Sequence, residues 1–444
     1  MALTSLVAAV LMAPVYVSEP QSYRAMFPAN PFEPRVNDVR LVLFRDRERV
    51  ADSPATFAGD AWQARAVAPQ PGRYRIEWWR NGTRFDDGMK PIVITADNLF
   101  RPFQAKGSRG GIIFHRNETT FTPIGADWHG ATPRLSAVPD ANWVRLVCSD
   151  GSAFSPLREP DGHPIRPGYL SDEAIERIDA YLDEALQHGK FVQLALWDAR
   201  DFLPNRWPRH PWNAVNGGFL TDADDLFTEP EPIRRMRLWA RYAALRWSAH
   251  PALFAIEPLA YPERIPQASV WIEALVEEIR RSPLVPVMIV GSGEGPYDAR
   301  FGRDEGWRWT RWEQDHPWRD WATTGSPPIL RDGWLLGWRL DNHRLMTMAR
   351  IEHFLASVER TGGTSWTVNG STGFGESNWG VVASSPETRH IDGVGLADGE
   401  YDIRIVRSGS LELEARRIEI RDFSFAWPDG AIFVALRRTP ATTP

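Results

Sequence analysis

Between about Phe121 and Val368, short apolar runs alternate with segments of helical period, and this alternation constrains the fold more than any other feature of the chain. The runs are Thr122–Asp127, Trp143–Cys148, Phe191–Trp197, Leu253–Ile256, Val285–Val290, Pro328–Leu330 and Thr364–Val368, with a further one near Trp309–His316. Each is short enough for a strand and is followed by polar or helix-period sequence, the pattern of βα units on a parallel sheet. The best helix starts after Ser171, an N-cap residue. Its apolar stripe is Ile175, Ile178, Leu182 and Leu186, and Gly189 supplies the stop. Further helices are predicted at Pro232–Trp247, Ala268–Arg281 and Asn342–Thr361. Eight parallel strands over roughly 260 residues is the size of an α/β (β/α)₈ TIM barrel.

The sequences on either side have a different texture. From Pro20 to about Ile94, period-two stretches such as Gly72-Arg73-Tyr74-Arg75-Ile76-Glu77-Trp78-Trp79 are punctuated by turns such as Asn81-Gly82. Beyond Gly370 the same texture returns in Gly399–Val406, Ser410–Ala415 and Gly430–Leu436. Each flank predicts a small β-sandwich. The expected organisation is a leader or first strand at 1–19, an N-terminal sandwich at 20–97, the barrel at 98–372 and a C-terminal sandwich at 373–444. The apolar stretch Met1–Tyr16 reads equally as a trimmed secretory leader or as a strand, and the leader reading implies an extracellular or periplasmic location. Pro14 and its short length exclude a bilayer span.

Composition narrows the chemistry. The net charge is −6 with no block of Lys or Arg, which argues against nucleic acid and anionic membranes as partners. A single cysteine, Cys148, excludes an internal disulfide and a cysteine-rich zinc site, and reads as a buried strand residue. Histidines do not fall at metal-ligand spacing, no phosphate loop follows a strand, and there is no Gly-x-Ser-x-Gly elbow, so neither metal nor cofactor is expected. Tryptophan is over-used, with 21 against nine tyrosines. A flat apolar face with one N–H donor suits both a core and the face of a sugar ring.

In a barrel, chemistry collects at the carboxyl ends of the strands. Here those ends carry Asp127, Trp128 and His129 after the first, and Arg145 and Asp150 on and after the second. Trp197, Asp198 and Asp201 follow the third, then Glu257, Tyr261 and Glu263 the fourth, and Glu294 the fifth. His316 with Asp315 lies near the sixth, Asp332 and Trp334 with Arg331 after the seventh, and Trp366 on the eighth. Carboxylates among Trp, Arg and His around one mouth are the make-up of a cleft that protonates a glycosidic oxygen and attacks or hydrates the sugar.

Several of these segments resemble the (β/α)₈ glycoside hydrolases related to family five, the cellulase and mannanase family. The resemblance lies in Phe121–Asp127, Asn142–Leu146, Asn213–Phe227 and Arg246–Pro251, with Asn30-Pro31-Phe32 and Gly72-Arg73-Tyr74 similar to a sandwich that often precedes such barrels. It implies an acid/base Glu after strand four, in a Trp-Glu-x-x-Asn-Glu pattern, and a nucleophilic Glu ending strand seven. In this chain Ile256-Glu257-Pro258-Leu259-Ala260-Tyr261 puts Ala260 and Tyr261 at the Asn-Glu pair; a second register, against Asn-Glu-Pro, makes Glu257 the acid. Strand seven offers Gly333 or, shifted by one, Asp332. The catalytic candidates are therefore Asp332, Glu257 and Glu263, with Asp127, Trp128, His129, Arg145, Trp197, Asp198, Tyr261, His316, Trp334 and Trp366 as candidates for holding the sugar. Three functions are expected: an atypical glycoside hydrolase, a pseudo-glycosidase that binds glycan in a Trp-rich cleft, or an assembly protein acting through its β modules.

Overall fold

The computed structural model describes the chain except residues 1–14, 28–29, 34–35, 87–89, 101, 109–110, 117–118, 122, 128–134, 138–140, 160, 167, 266–267, 283, 285–288, 292–305, 311–328, 332–337, 357, 359–363, 369, 393, 408–409, 411 and 440–444. The chain divides into two units, Met1–Arg101 and Pro102–Pro444.

The first unit holds two antiparallel sheets, of four and five strands. Strand Ala61–Ala68 alternates between buried and half-buried positions, as period-two sequence requires of a strand with one face on a core. Asn81 and Gly82 both take positive φ, 49° and 78°, and join Gly72–Arg80 to Thr83–Asp86 in the two-residue hairpin that the Asn-Gly pair predicts. Buried Glu77 is held by Arg75 and Arg84 and accepts from the Trp79 indole at 2.9 Å; Trp79, Arg75 and Arg84 together hold its carboxyl below the usual range despite burial.

The second unit is organised on seven parallel strands. They are β1 (Gly125–Asp127), β2 (Trp143–Val147), β3 (Phe191–Ala195), β4 (Leu253–Glu257), β5 (Ile289–Gly291), β6 (Gly306–Thr310) and β7 (Ile329–Arg331). Their order across the sheet is β4-β3-β2-β1-β7-β6-β5. β7 pairs directly with β1 through Ala126 and Leu330, so the last strand of the series lies beside the first. β5 lies against the short turn of helix Pro262–Arg264 that follows β4. β2, β3 and β4 are buried almost throughout, which is why each appears in the sequence as a continuous apolar run.

The longer helices among the described residues are α1 (Asp172–Gln187), α2 (Pro230–Trp247), α3 (Ala268–Ile279) and α4 (Trp338–Leu355). Ser171 caps α1, its hydroxyl accepting from Ala174 N at 3.2 Å, with Asp172 and Glu173 in the first turn facing the positive end of the helix dipole. Ile175, Ile178 and Leu182 are buried as expected; Leu186, placed on the same stripe, is 43% exposed, and Tyr181 and Ala185 complete the buried face instead. Ser171→Ala is expected to lower stability by about 1 kcal/mol, read as a shift in the urea midpoint at unchanged slope.

Thr364–Val368 is not an eighth parallel strand. It pairs antiparallel with Ser371–Glu376 and belongs to a six-stranded sheet formed with the C-terminal strands. The connection from Val368 to Ser371 is a hairpin, far too short for the crossover that a parallel neighbour needs. A Cβ on Gly373 would come within 2.0 Å of the Trp366 ring, so the missing side chain at Gly373 makes room for that indole over the C-terminal core. α4 joins this sheet to the rest of the unit: the guanidinium groups of Arg404 and Arg437 lie 4.4 and 4.6 Å from the Phe354 ring centre.

The amino-terminal end of β3 and β4 is closed by aromatic rings. Phe103, Phe114 and Phe121 pack edge-on or tilted against Phe191 and Phe254, with centroids 4.8 to 5.6 Å apart. Arg116 covers this cluster from 4.6 Å above Phe191. Polar chemistry on these strands is left with their carboxyl ends.

Candidate functional site

Arg145 on β2, Gln193 on β3 and Glu257 at the end of β4 meet inside the carboxyl-terminal half of the sheet. Strand register brings them together: Arg145 stands opposite Gln193, and Glu257 opposite Ala195 two residues further on. Arg145 grips Glu257 with two parallel bonds, Nε to Oε2 at 2.7 Å and Nη2 to Oε1 at 2.5 Å. Gln193 Nε2 donates to Oε2 at 2.8 Å. Both side chains of the ion pair are 0% exposed. A planar guanidinium matches a carboxylate in this two-point geometry, and in a dry setting each group depends on the other for the hydration it has lost.

Tyr261, where the resemblance places the acid/base, is also fully buried and adopts a left-handed backbone, φ 55° and ψ 47°. A bulky residue there is strained, and the following Pro262 disfavours the right-handed alternative. Two guanidinium groups lie over its ring, Arg145 at 5.0 Å and Arg200 at 4.1 Å from the centroid. Arg200 is in turn held by Asp198, with Nε to Oδ1 at 2.8 Å, while Asp198 Oδ1 also accepts from Arg200 N at 2.9 Å and caps the helical turn Ala199–Phe202. The result is a stack of alternating charge, Glu257, Arg145, the Tyr261 ring, Arg200 and Asp198. Backbone bonds extend the β3–β4 pairing beneath it, Ala260 N to Trp197 O at 2.7 Å and Ala199 N to Ala260 O at 3.0 Å.

Next to the stack lies a second polar group. Asp201 is nearly buried; its Oδ2 accepts from Asp150 N at 2.6 Å, and Arg206 reaches Oδ1 only at 3.4 Å. Burial first, then the neighbouring charges of Asp198 and Asp150, push its carboxyl up to about 8, so it holds its proton at neutral pH. Asp150 is paired with Arg158, whose Nη2 also donates to Arg209 O at 2.6 Å. His210 is buried and stacked on Trp207; burial, assisted by Arg158, lowers it to about 3, so the ring is neutral, and its Nδ1 accepts from Trp212 N at 3.1 Å. Trp197 packs against Trp212 and Phe202 and is almost wholly buried. Burial pushes the Cys148 thiol far above its ordinary value, which fits a packed strand residue rather than a nucleophile.

Of the residues singled out in the sequence, the structure thus brings Arg145, Glu257, Tyr261, Asp198 and Trp197 together. Asp127 ends β1 in register with Arg145 and Arg331. Glu263 lies in the turn Pro262–Arg264. Trp366 lies in the C-terminal sheet rather than at the mouth. Trp128, His129, His316, Asp332 and Trp334 lie outside the described residues, as do Glu294 and Asp315. Sequence reasoning missed Gln193 and Arg200. Gln193 is the one polar residue within the apolar run Phe191–Ala195, a signal that was there to be used; Arg200 carried none. Among the described residues no group of three His, Cys, Asp or Glu is placed to hold a metal, and no helix is long and apolar enough to cross a membrane.

No protein-family model matches the chain, and no curated protein does. Solved structures do. A provisionally assigned glycoside hydrolase from Bacteroides vulgatus superposes with a TM-score of 0.58 at 11% identity, over 94% of this chain and 98% of that one. A second glycoside hydrolase gives a TM-score of 0.50 at 9% identity, over 76% of this chain and 97% of the other. The chain therefore has a glycoside-hydrolase-like fold of the α/β, TIM-barrel-like kind. At such identities the likeness concerns fold, and activity has to be argued from the site.

Proposed function

We propose that this chain binds carbohydrate through a glycosidase fold in which the usual proton donor of strand four has been replaced by an internal lock. The observation that carries this reading is the burial of Glu257 and Tyr261, both 0% exposed and both held by Arg145. A general acid has to come within hydrogen-bond reach of the glycosidic oxygen. Glu257 is instead engaged on both oxygens, and two cations lie over the Tyr261 ring. The glycosidase fold supports a saccharide as ligand, and it joins the hydroxyl- and ring-binding capacity of a Trp-rich chain.

A second reading, hydrolysis by atypical carboxylates, is favoured by Asp201, nearly buried in the turn Ala199–Phe202 after β3, where burial and then Asp198 raise its carboxyl to about 8, the direction a general acid needs. In that reading Asp332 or Glu263 supplies the second carboxylate. One experiment separates the two. Purified protein is incubated with β-glucans, mannans, xylans and aryl glycosides, following Trp fluorescence and released reducing sugar. Binding without product is the expected result. Product that disappears in Asp332→Asn, Glu263→Gln or Asp201→Asn establishes the hydrolase and overturns the binding-only reading.

A further inference from the structure

Just beyond β3, at Trp197, a small pocket opens between the loop after β2, the segment Pro211–Phe219 and α2. Its walls are aromatic, with Trp197, Trp212, Tyr169 and Phe219, and its charged lining residues are Arg166 and Arg235, with no Asp or Glu among the described lining residues. The two arginines are not equivalent. Arg235 is engaged by Glu231 at 2.7 Å and lies 3.8 Å from the Phe219 centroid. The pull of Arg234 and then Arg235 holds Glu231 down to about 2, which keeps a carboxylate on Arg235 at neutral pH. Arg166 is exposed, lies 4.9 Å from the Tyr169 centroid and has no carboxylate partner among the described residues. A guanidinium held on an aromatic floor, with its fork open, is suited to a carboxylate.

The hollow itself measures about 30 Å³, room for roughly two water molecules. It takes a carboxylate-sized group and leaves the ring that bears it to lie against half-buried Tyr169 and Phe219, since Trp197 and Trp212 are buried behind them. The rim is also rigid. Phe219 N and Leu220 N both bond to Trp212 O, at 3.0 and 2.9 Å, and a Cβ on Gly218 would come within 2.2 Å of the Trp212 carbonyl. A loop closed this tightly onto Trp212 has little freedom left to lose on binding.

We infer that this pocket is a subsite for an acidic sugar: it receives the carboxylate of a uronic acid residue on Arg166, with the sugar ring stacked on the aromatic rim. The inference rests on the carbohydrate reading above and adds the class of sugar. The test uses the full chain at low ionic strength, where screening is least, and follows Trp fluorescence with D-glucuronate, D-glucose and acetate as probes. D-glucuronate is expected to bind at least tenfold more tightly than D-glucose. That preference is lost in Arg166→Ala and partly kept in Arg166→Lys. Arg166 is exposed, so both variants are expected to unfold at the wild-type temperature. Equal affinity for the two sugars, or a preference indifferent to Arg166→Ala, overturns the inference. Displacement of D-glucuronate by equimolar acetate also overturns it, since the pocket is then a simple anion site. If neutral polysaccharides still bind while these arms fail, the carbohydrate reading stands without the acidic subsite. If no saccharide binds at all, both fall.

Discussion

Glu257→Ala lowers the stability of the fold by about 3–5 kcal/mol, because it leaves the Arg145 guanidinium charged and buried with its main partner gone. The loss comes from the stranded cation more than from the pair itself. Bringing both groups out of water costs nearly as much as their attraction returns, so a pair removed together leaves little behind. Arg145→Met combined with Glu257→Leu is therefore expected to be far less damaging than either single change, and the double-mutant cycle reads out the coupling. Glu257→Gln lies between, since Gln193 Nε2 and one Arg145 nitrogen still find an oxygen to donate to. The measurement is urea unfolding followed by Trp fluorescence, with the midpoint shift read at constant slope. If Glu257→Ala unfolds within 1 kcal/mol of wild type, the pair is not the lock described here and Glu257 is free for chemistry. The outcome bears on function because a residue committed to holding β2 against β4 cannot also swing towards a substrate.

Much of this fold can be read from the sequence, for identifiable reasons. β2, β3 and β4 are buried on both faces, so each is an unbroken apolar run, and the α1 cap, stripe and stop each leave a separate mark at Ser171, Ile175 to Leu182 and Gly189. Asn81-Gly82 fixes its hairpin because few other pairs tolerate two positive φ angles in succession. Thr364–Val368 shows the limit. A short run of Thr, Trp and Val says strand but not which neighbour it takes, and only the turn at Gly370 decides for the antiparallel hairpin. At the site, Arg145 and Glu257 stand out as charges on apolar strands, yet their bond spans 112 residues and depends on register across β3. Tyr261 is least legible. Nothing about tyrosine announces a left-handed backbone; here it goes with the contacts of Arg145 and Arg200 over its ring and with the following Pro262, which disfavours the right-handed alternative. Such strain persists only where the surroundings over-determine it.

Asp201→Asn is expected to remove a pH dependence that the wild-type protein carries. An Asp in an unfolded chain ionises near 3.9; in this fold burial, then the charge of Asp198, then that of Asp150, bring Asp201 to about 8. Between those two values the folded protein holds a proton that the unfolded chain has released. Stability from this group is therefore complete below about pH 4, falls as pH rises, and is gone once the folded carboxyl has ionised near 8. At its steepest the loss is about 1.4 kcal/mol per pH unit. Asn is nearly isosteric and never ionises, and its oxygen can accept the Asp150 N–H that Oδ2 accepts now. Thermal unfolding at pH 5, 6.5, 8 and 9 is expected to show wild type falling progressively behind the variant, with the gap closing at low pH. Parallel profiles would mean that Asp201 is ionised throughout, held by Arg206 more firmly than a 3.4 Å contact implies. The same titration bears on catalysis. In the hydrolytic reading with Asp201 as the acid, hydrolysis fails in Asp201→Asn and declines in wild type as the carboxyl ionises near 8. A chain that only binds keeps its affinity through both changes, because nothing in binding a neutral sugar depends on that proton.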